Sequence, residues 1–199
     1  MRPGRNLPAI TTIVIAVAGC AEPAHTIPLA DSASLTQLTA YGRLGDAHRL
    51  ELAPSDEPGS RLLILGRLVQ REDGSVITDH AFSLYQADET GSYGEEVNGD
   101  ESTARLHGTV RTDSLGRFLI STILPGDYGS GDNNRHVHTS VPEAHPEAYD
   151  LFFAPFVSRG LRSWAESSDQ GMILELRQSD EGLIAIGDLV VKRFRDEQE

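Results

Sequence analysis

The sequence predicts an all-β fold, an antiparallel β-sandwich with long loops and little helix, and three observations predict it. Short apolar or alternating runs recur from residue 61 onward. Each run is bounded by Gly, Pro, Asp or Ser, and beyond residue 60 only the stretch 158–168 has a helical pattern, read as loop or a short helix. With 199 residues, 39% hydrophobic and 24% charged, the chain is long and apolar enough for one buried core.

The N-terminal twenty residues have a different texture. Arg2 and Arg5 precede an apolar run from Leu7 to Ala18, which ends in Val17-Ala18-Gly19-Cys20. This resembles a bacterial lipoprotein signal: residues 1–19 are expected to be cleaved, leaving the protein exported and lipid-anchored to a bacterial membrane through Cys20. Cys20 is the only cysteine, so no internal disulfide is possible. Residues 20–60 are rich in Pro, Ser, Thr and Ala and read as a tether and loose lead-in, with Ser34 to Leu52 suited to one short helix or strand. The sandwich is expected over 61–195 and a solvated acidic tail over 196–199. The chain carries 30 acidic against 17 basic residues, a net charge of −13. That balance argues against nucleic acid as a partner, because phosphate binding needs a basic surface.

Within the expected sandwich, Arg61 to Val69 and Ala81 to Gln86 flank the turn signal Glu72-Asp73-Gly74 and predict a hairpin. Arg105 to Thr112 and Arg117 to Ile123 repeat the pattern around Asp113-Ser114-Leu115-Gly116. Further strands are expected at Arg135 to Val141, Ala148 to Phe153, Met172 to Leu176 and Leu183 to Phe194. Trp164, the sole tryptophan, with Phe152, Phe153 and Phe156, offers a set that could wall a substrate pocket, and core packing is the preferred reading.

Four side chains carry a chemical signal. His136 and His138 are two apart on a predicted strand, so both imidazoles project from one face, about 7 Å apart along the chain. Tyr93 and Tyr128 precede them. A phenol with an ordinary pKa of about 10 becomes a ligand near neutrality only when a strong Lewis acid replaces its proton. Zinc favours Cys, His and carboxylate, and calcium favours carboxylate and carbonyl oxygens, so the set Tyr93, Tyr128, His136 and His138 points to iron(III). Each residue alone also suits a plainer role: the tyrosines as half-buried aromatics at a sandwich edge, the histidines as an exposed pair. His80, His107 and His145 read as surface or hydrogen-bonded histidines.

Taken in order, Gly66, Glu72-Asp73-Gly74, Ala81 to Asp88, Gly91-Ser92-Tyr93, Gly108, Thr112-Asp113, Gly116-Arg117-Phe118, Thr122 to Tyr128 and His136-Val137-His138 resemble the intradiol ring-cleavage dioxygenases, over roughly residues 61–154. The resemblance implies a β-sandwich core, a mononuclear ferric ion, a small catecholic diol and O2 as substrates, and ring opening between the hydroxyl-bearing carbons. It places Tyr93 and His136 in equatorial and Tyr128 and His138 in axial positions. Tyr128 would act as ligand and then as base for a substrate proton. The family's arginine before the histidine pair is matched, with displacement, by Arg135. Strand alternation predicts that this guanidinium points away from the metal. The chain also has Tyr85 where the family usually carries tryptophan, and a short segment between Tyr128 and His136, which implies an open pocket. The alternative expectation is a non-catalytic exported β-sandwich lipoprotein, transthyretin-like or carboxypeptidase-regulatory-like, or a degenerate metal-binding homologue.

Overall fold

The computed structural model describes residues 26–94, 103–127 and 133–192. The expectations on Cys20, Tyr128 and the 196–199 tail lie outside the described residues. Two α-helices, α1 (Ser32–Tyr41) and α2 (Arg159–Ser167), accompany nine strands among the described residues: β1 (Arg49–Glu51), β2 (Arg61–Gln70), β3 (Ala81–Gln86), β4 (Leu106–Arg111), β5 (Arg117–Ile123), β6 (Asn134–Ser140), β7 (Ala148–Val157), β8 (Gly171–Ser179) and β9 (Gly182–Val191). No described helix is long and apolar enough to cross a membrane.

The strands hydrogen-bond in the order β1-β5-β2-β9-β8-β7-β6-β3-β4. Strand β8 belongs to both halves, pairing with β7 through Gly171 to Leu174 and with β9 through Glu175 to Ser179. The sheet folds over at that point, and its two halves close on one core. Leu62, Ile64, Phe118, Ile120 and Ala185 from one half meet Phe82, Leu84, Val110, Val137, Leu151 and Phe153 from the other. Phe82 and Phe118 join the halves edge to face, with centroids 4.9 Å apart. Phe118 has room because its cross-strand partner is Gly66, where a Cβ would stand 2.3 Å from the ring.

The all-β expectation holds, with three corrections. The sheet is mixed, since β1 with β5, β2 with β9 and β7 with β8 run parallel. Neither expected hairpin forms between the named strands. The turn after β2 does close, with Ile77 N donating to Leu68 O at 2.8 Å, but β3 then crosses to the other half and pairs with β4 and β6. Strands β4 and β5 are likewise split between the halves. Strand β2 is already flanked by β5 and β9, so it has no edge left for β3. Thirdly, the lead-in is ordered from Ser32. Asp31 caps α1 by accepting from Ser34 N at 2.8 Å, and Leu38 and Leu44 cover Leu63, Leu65, Leu119 and Ile184 on the outer face. This second apolar layer explains why β2 is buried on both faces.

The stretch 158–168 contains a helix, capped where Ser158 Oγ accepts from Leu161 N at 3.4 Å. Phe152 and Phe153 are buried as expected, but Trp164 is 41% exposed on α2, against the expectation of a core position.

Candidate metal centre

On β6 after the register shift at Arg135, Val137 and Thr139 point inward, Val137 completely buried, and His136 and His138 point to the other face. Period-two alternation therefore puts His136 and His138 together on the outer face of their half. Across the ladder His136 stands opposite Phe152, and His138 lies between Tyr85 on β3 and Asp150 on β7. Tyr85 stacks on the His138 ring at 4.5 Å and 22°. The two imidazoles meet at 88°, with His136 Nε2 and His138 Nε2 3.0 Å apart.

Tyr93 arrives from the loop after β3. Its hydroxyl is 3.0 Å from His138 Nε2, and the residue is 5% exposed. The loop is shaped by Asp88, whose Oδ1 accepts from Thr90 N, Thr90 Oγ1 and Ser92 N. Burial pushes that carboxyl up, but these bonds and Arg105 outweigh it and hold the pKa below the ordinary carboxylate range. Gly126 of the Pro125-Gly126-Asp127 segment packs directly on the same loop. Its N–H donates to Asp88 O at 2.8 Å, and a Cβ there would lie 2.4 Å from Glu89 O and from Gly91 N. Only glycine permits that approach. Asp127 then ties this segment to the start of β6, its Oδ1 accepting from Asn134 N at 2.9 Å.

The far edges of both imidazoles are occupied. His136 Nδ1 is 2.9 Å from Asn134 O, and His138 Nδ1 is 2.7 Å from Asp150 Oδ1. A backbone carbonyl and a carboxylate only accept, so each Nδ1 is the donor in its bond and each Nε2 is the nitrogen that faces inward. The two Nε2 atoms stand 3.0 Å apart, a separation that a shared proton or a bound cation satisfies. The spacing suits a metal: two donors at right angles, each about 2.1 Å from one ion, stand about 3.0 Å apart. The Tyr93 oxygen meets the same criterion. Tyr93 Oη and His136 Nε2 thus both lie beside His138 Nε2, which makes the three side chains a candidate metal centre.

Asp150, His136 and His138 offer donor atoms within 4.8 Å of one another. Because Asp150 holds the Nδ1 edge of His138, it fixes that ring's orientation and tautomer from behind. Sequence reasoning missed it; the available signal was its location on the strand expected beside the histidine pair. Arg135, the expected charge stabiliser, sits where the β6–β7 register shifts between Asn134 and His136. Its guanidinium lies over the Phe156 ring at 4.5 Å, with Nε 3.6 Å from Asp127 Oδ2. His107 is held by Ala104 O at 2.6 Å, in the hydrogen-bonded role expected for it. A separate cleft of about 720 Å³ opens under α1, lined by Arg43, Arg49, Leu50 and Leu119, and it contains none of the donors.

Fold and donors together define a β-sandwich of dioxygenase type with a candidate mononuclear centre on its outer face. The family model described as Dioxygenase matches residues 40–150, more than half of the chain, and the chain belongs to that family, of the intradiol ring-cleaving kind. Comparison with curated protein sequences gives no match. Among solved structures, the chain is similar to the dioxygenase domain of a dioxygenase carbohydrate-binding protein fusion from Streptomyces sp. SirexAA-E, at 21% identity and a TM-score of 0.52, covering 76% of this chain and 93% of that one. An intradiol ring-cleavage dioxygenase from Tetranychus urticae matches at 19% identity and 0.53, covering 75% and 88%. Catechol 1,2-dioxygenase from Pseudomonas arvilla C-1 matches at 16% and 0.54, covering 75% and 58%. At these identities the structural likeness speaks for the fold.

Proposed function

We propose that the protein is an iron(III)-dependent intradiol dioxygenase that opens the ring of a catecholic aromatic between its two hydroxyl-bearing carbons with O2. One observation carries the reading: Tyr93 Oη and His136 Nε2 each lie 3.0 Å from His138 Nε2, while both Nδ1 atoms are tied off. Tyr93, His136, His138 and Tyr128 would hold the iron, which when bound supplies Lewis acidity and the redox partner for a catecholate. His136 and His138 would ligate through Nε2 while each Nδ1–H donates, to Asn134 O and to Asp150 Oδ1 respectively. Tyr128 is the base in this reading, its phenolate oxygen receiving a substrate hydroxyl proton. Arg135, stacked on Phe156 and beside Asp127, steadies the start of β6. Export and anchoring through lipid on Cys20 belong to the same proposal, tested by loss of fatty-acid labelling in Cys20→Ser.

The test is optical. Iron loading should produce a burgundy tyrosinate-to-ferric band that weakens and shifts in Tyr93→Phe and Tyr128→Phe, with oxygen uptake on a panel of catechols. A protein that binds no iron, or stays colourless when loaded, refutes the proposal.

A further inference from the structure

The outer face that carries the donors also carries α2. Ser158 N donates to Asn133 O at 2.9 Å, and Arg162 Nη2 donates to Ala154 O at 2.9 Å, so the helix is fixed to the starts and ends of the strands that bear the site. Its Trp164 lies edge-on to Phe152, with centroids 5.9 Å apart at 81°, and Phe152 in turn lies 5.2 Å from the His136 ring. Gly171 makes space for the helix, since a Cβ there would meet Ala165 Cα at 2.7 Å and Trp164 Cζ3 at 3.0 Å. Gly171 is the ladder partner of Asp150, and Asp150 is the partner of His138. The indole therefore sits two strands from His138 on the same face, about 10 Å away at about 4.8 Å per strand. Trp164 is thus held against Phe152 by a helix whose N-terminal part is anchored, and its ring remains 41% exposed.

Resting on the catecholic reading above, we infer that Trp164 is a specificity residue: a platform for a planar substituent on the substrate, selecting aryl-extended catechols over catechol itself. A single ring bound at Tyr93, His136 and His138 ends short of an indole about 10 Å away. A second ring, attached opposite the diol, spans that gap and meets the indole face in an aromatic contact. Tyr85, stacked on His138, occupies the β3 side of that ring, and α2 lies on the other side, beyond β7.

The chain has one tryptophan, which gives a direct readout. The iron-loaded protein is titrated without oxygen against catechol and 4-phenylcatechol, following the catecholate band and tryptophan fluorescence. The expected result is about ten-fold tighter binding of 4-phenylcatechol, with fluorescence quenching specific to it. In Trp164→Ala that preference falls to about one while catechol affinity is unchanged, and Trp164→Phe keeps part of it. Equal affinities in the wild type, or an equal loss for both ligands in Trp164→Ala with an unchanged melting curve, overturn this inference alone. Absence of a band with either ligand refutes the iron reading and this inference with it.

Discussion

Replacing Asp150 with alanine removes the 2.7 Å contact that holds His138 from behind and leaves every inward-facing donor in place. A hydrogen bond to an ionised partner contributes about 1.5–3 kcal/mol. At about 1.4 kcal/mol per factor of ten, that range corresponds to about a 10- to 100-fold loss of iron affinity, the size usual for the partner of a ligating histidine. The direction has two sources. Without the carboxylate, His138 is free to move its proton to Nε2 and to turn away from the Tyr93 oxygen, and the imidazole is also a weaker donor. A weaker donor leaves ferric iron more electron-poor, so the tyrosinate charge-transfer band should move to longer wavelength. Asp150→Asn keeps an acceptor oxygen without the charge and should fall between alanine and wild type. Chelator competition read at the visible band measures the affinity. The fold should be little affected, because the Asp150 side chain is 26% exposed on the outer face. Iron affinity in Asp150→Ala within two-fold of wild type refutes the buttress role.

Asp113 makes the corresponding test of stability. Its carboxylate accepts from Leu115 N, Arg117 N and the Arg117 guanidinium, at 9% side-chain exposure, so Asp113→Ala should cost about 2–3 kcal/mol in urea unfolding. Burial pushes this carboxyl up, but the Arg117 and backbone bonds outweigh it and lower its pKa. Its contribution is therefore complete above the ordinary carboxylate value of about 3.9 and is lost as pH falls through the lower folded value. The stability difference between wild type and Asp113→Asn should accordingly shrink below about pH 4. Gly126→Ala places a methyl 2.4 Å from Glu89 O and Gly91 N, which are backbone atoms that cannot turn aside. It should separate the Tyr93 loop from the Pro125-Gly126-Asp127 segment, lowering both the melting temperature and iron uptake. Normal uptake would show that the loop is positioned by other contacts.

Much of the fold was legible along the chain because strand signals are local. The bounds read for β3 and β5 coincide with the structure, the other strands from β2 to β9 differ by a few residues at their ends, and β1 was not read as a strand of its own. Pairing was not legible. The alternation of Ala81 to Gln86 shows that one face is buried but carries no mark of which strand lies beside it, and β2 offered no free edge once β5 and β9 flanked it. Helix α1 was legible only as one short element, helix or strand, within Ser34 to Leu52, since its few apolar residues matter only against the outer face of β2 and β5.

By itself the sequence determined that His136 and His138 share one face of a strand, because side chains alternate with period two. Tertiary structure alone decided how they are served. Asp150 stands behind His138, Asn134 O behind His136, Gly126 against the Tyr93 loop and Trp164 in the open on α2. Those roles depend on which backbone lies alongside which, and that is settled by burying both halves of the sheet against one another, an energy summed over the whole core and recorded in no local stretch of residues.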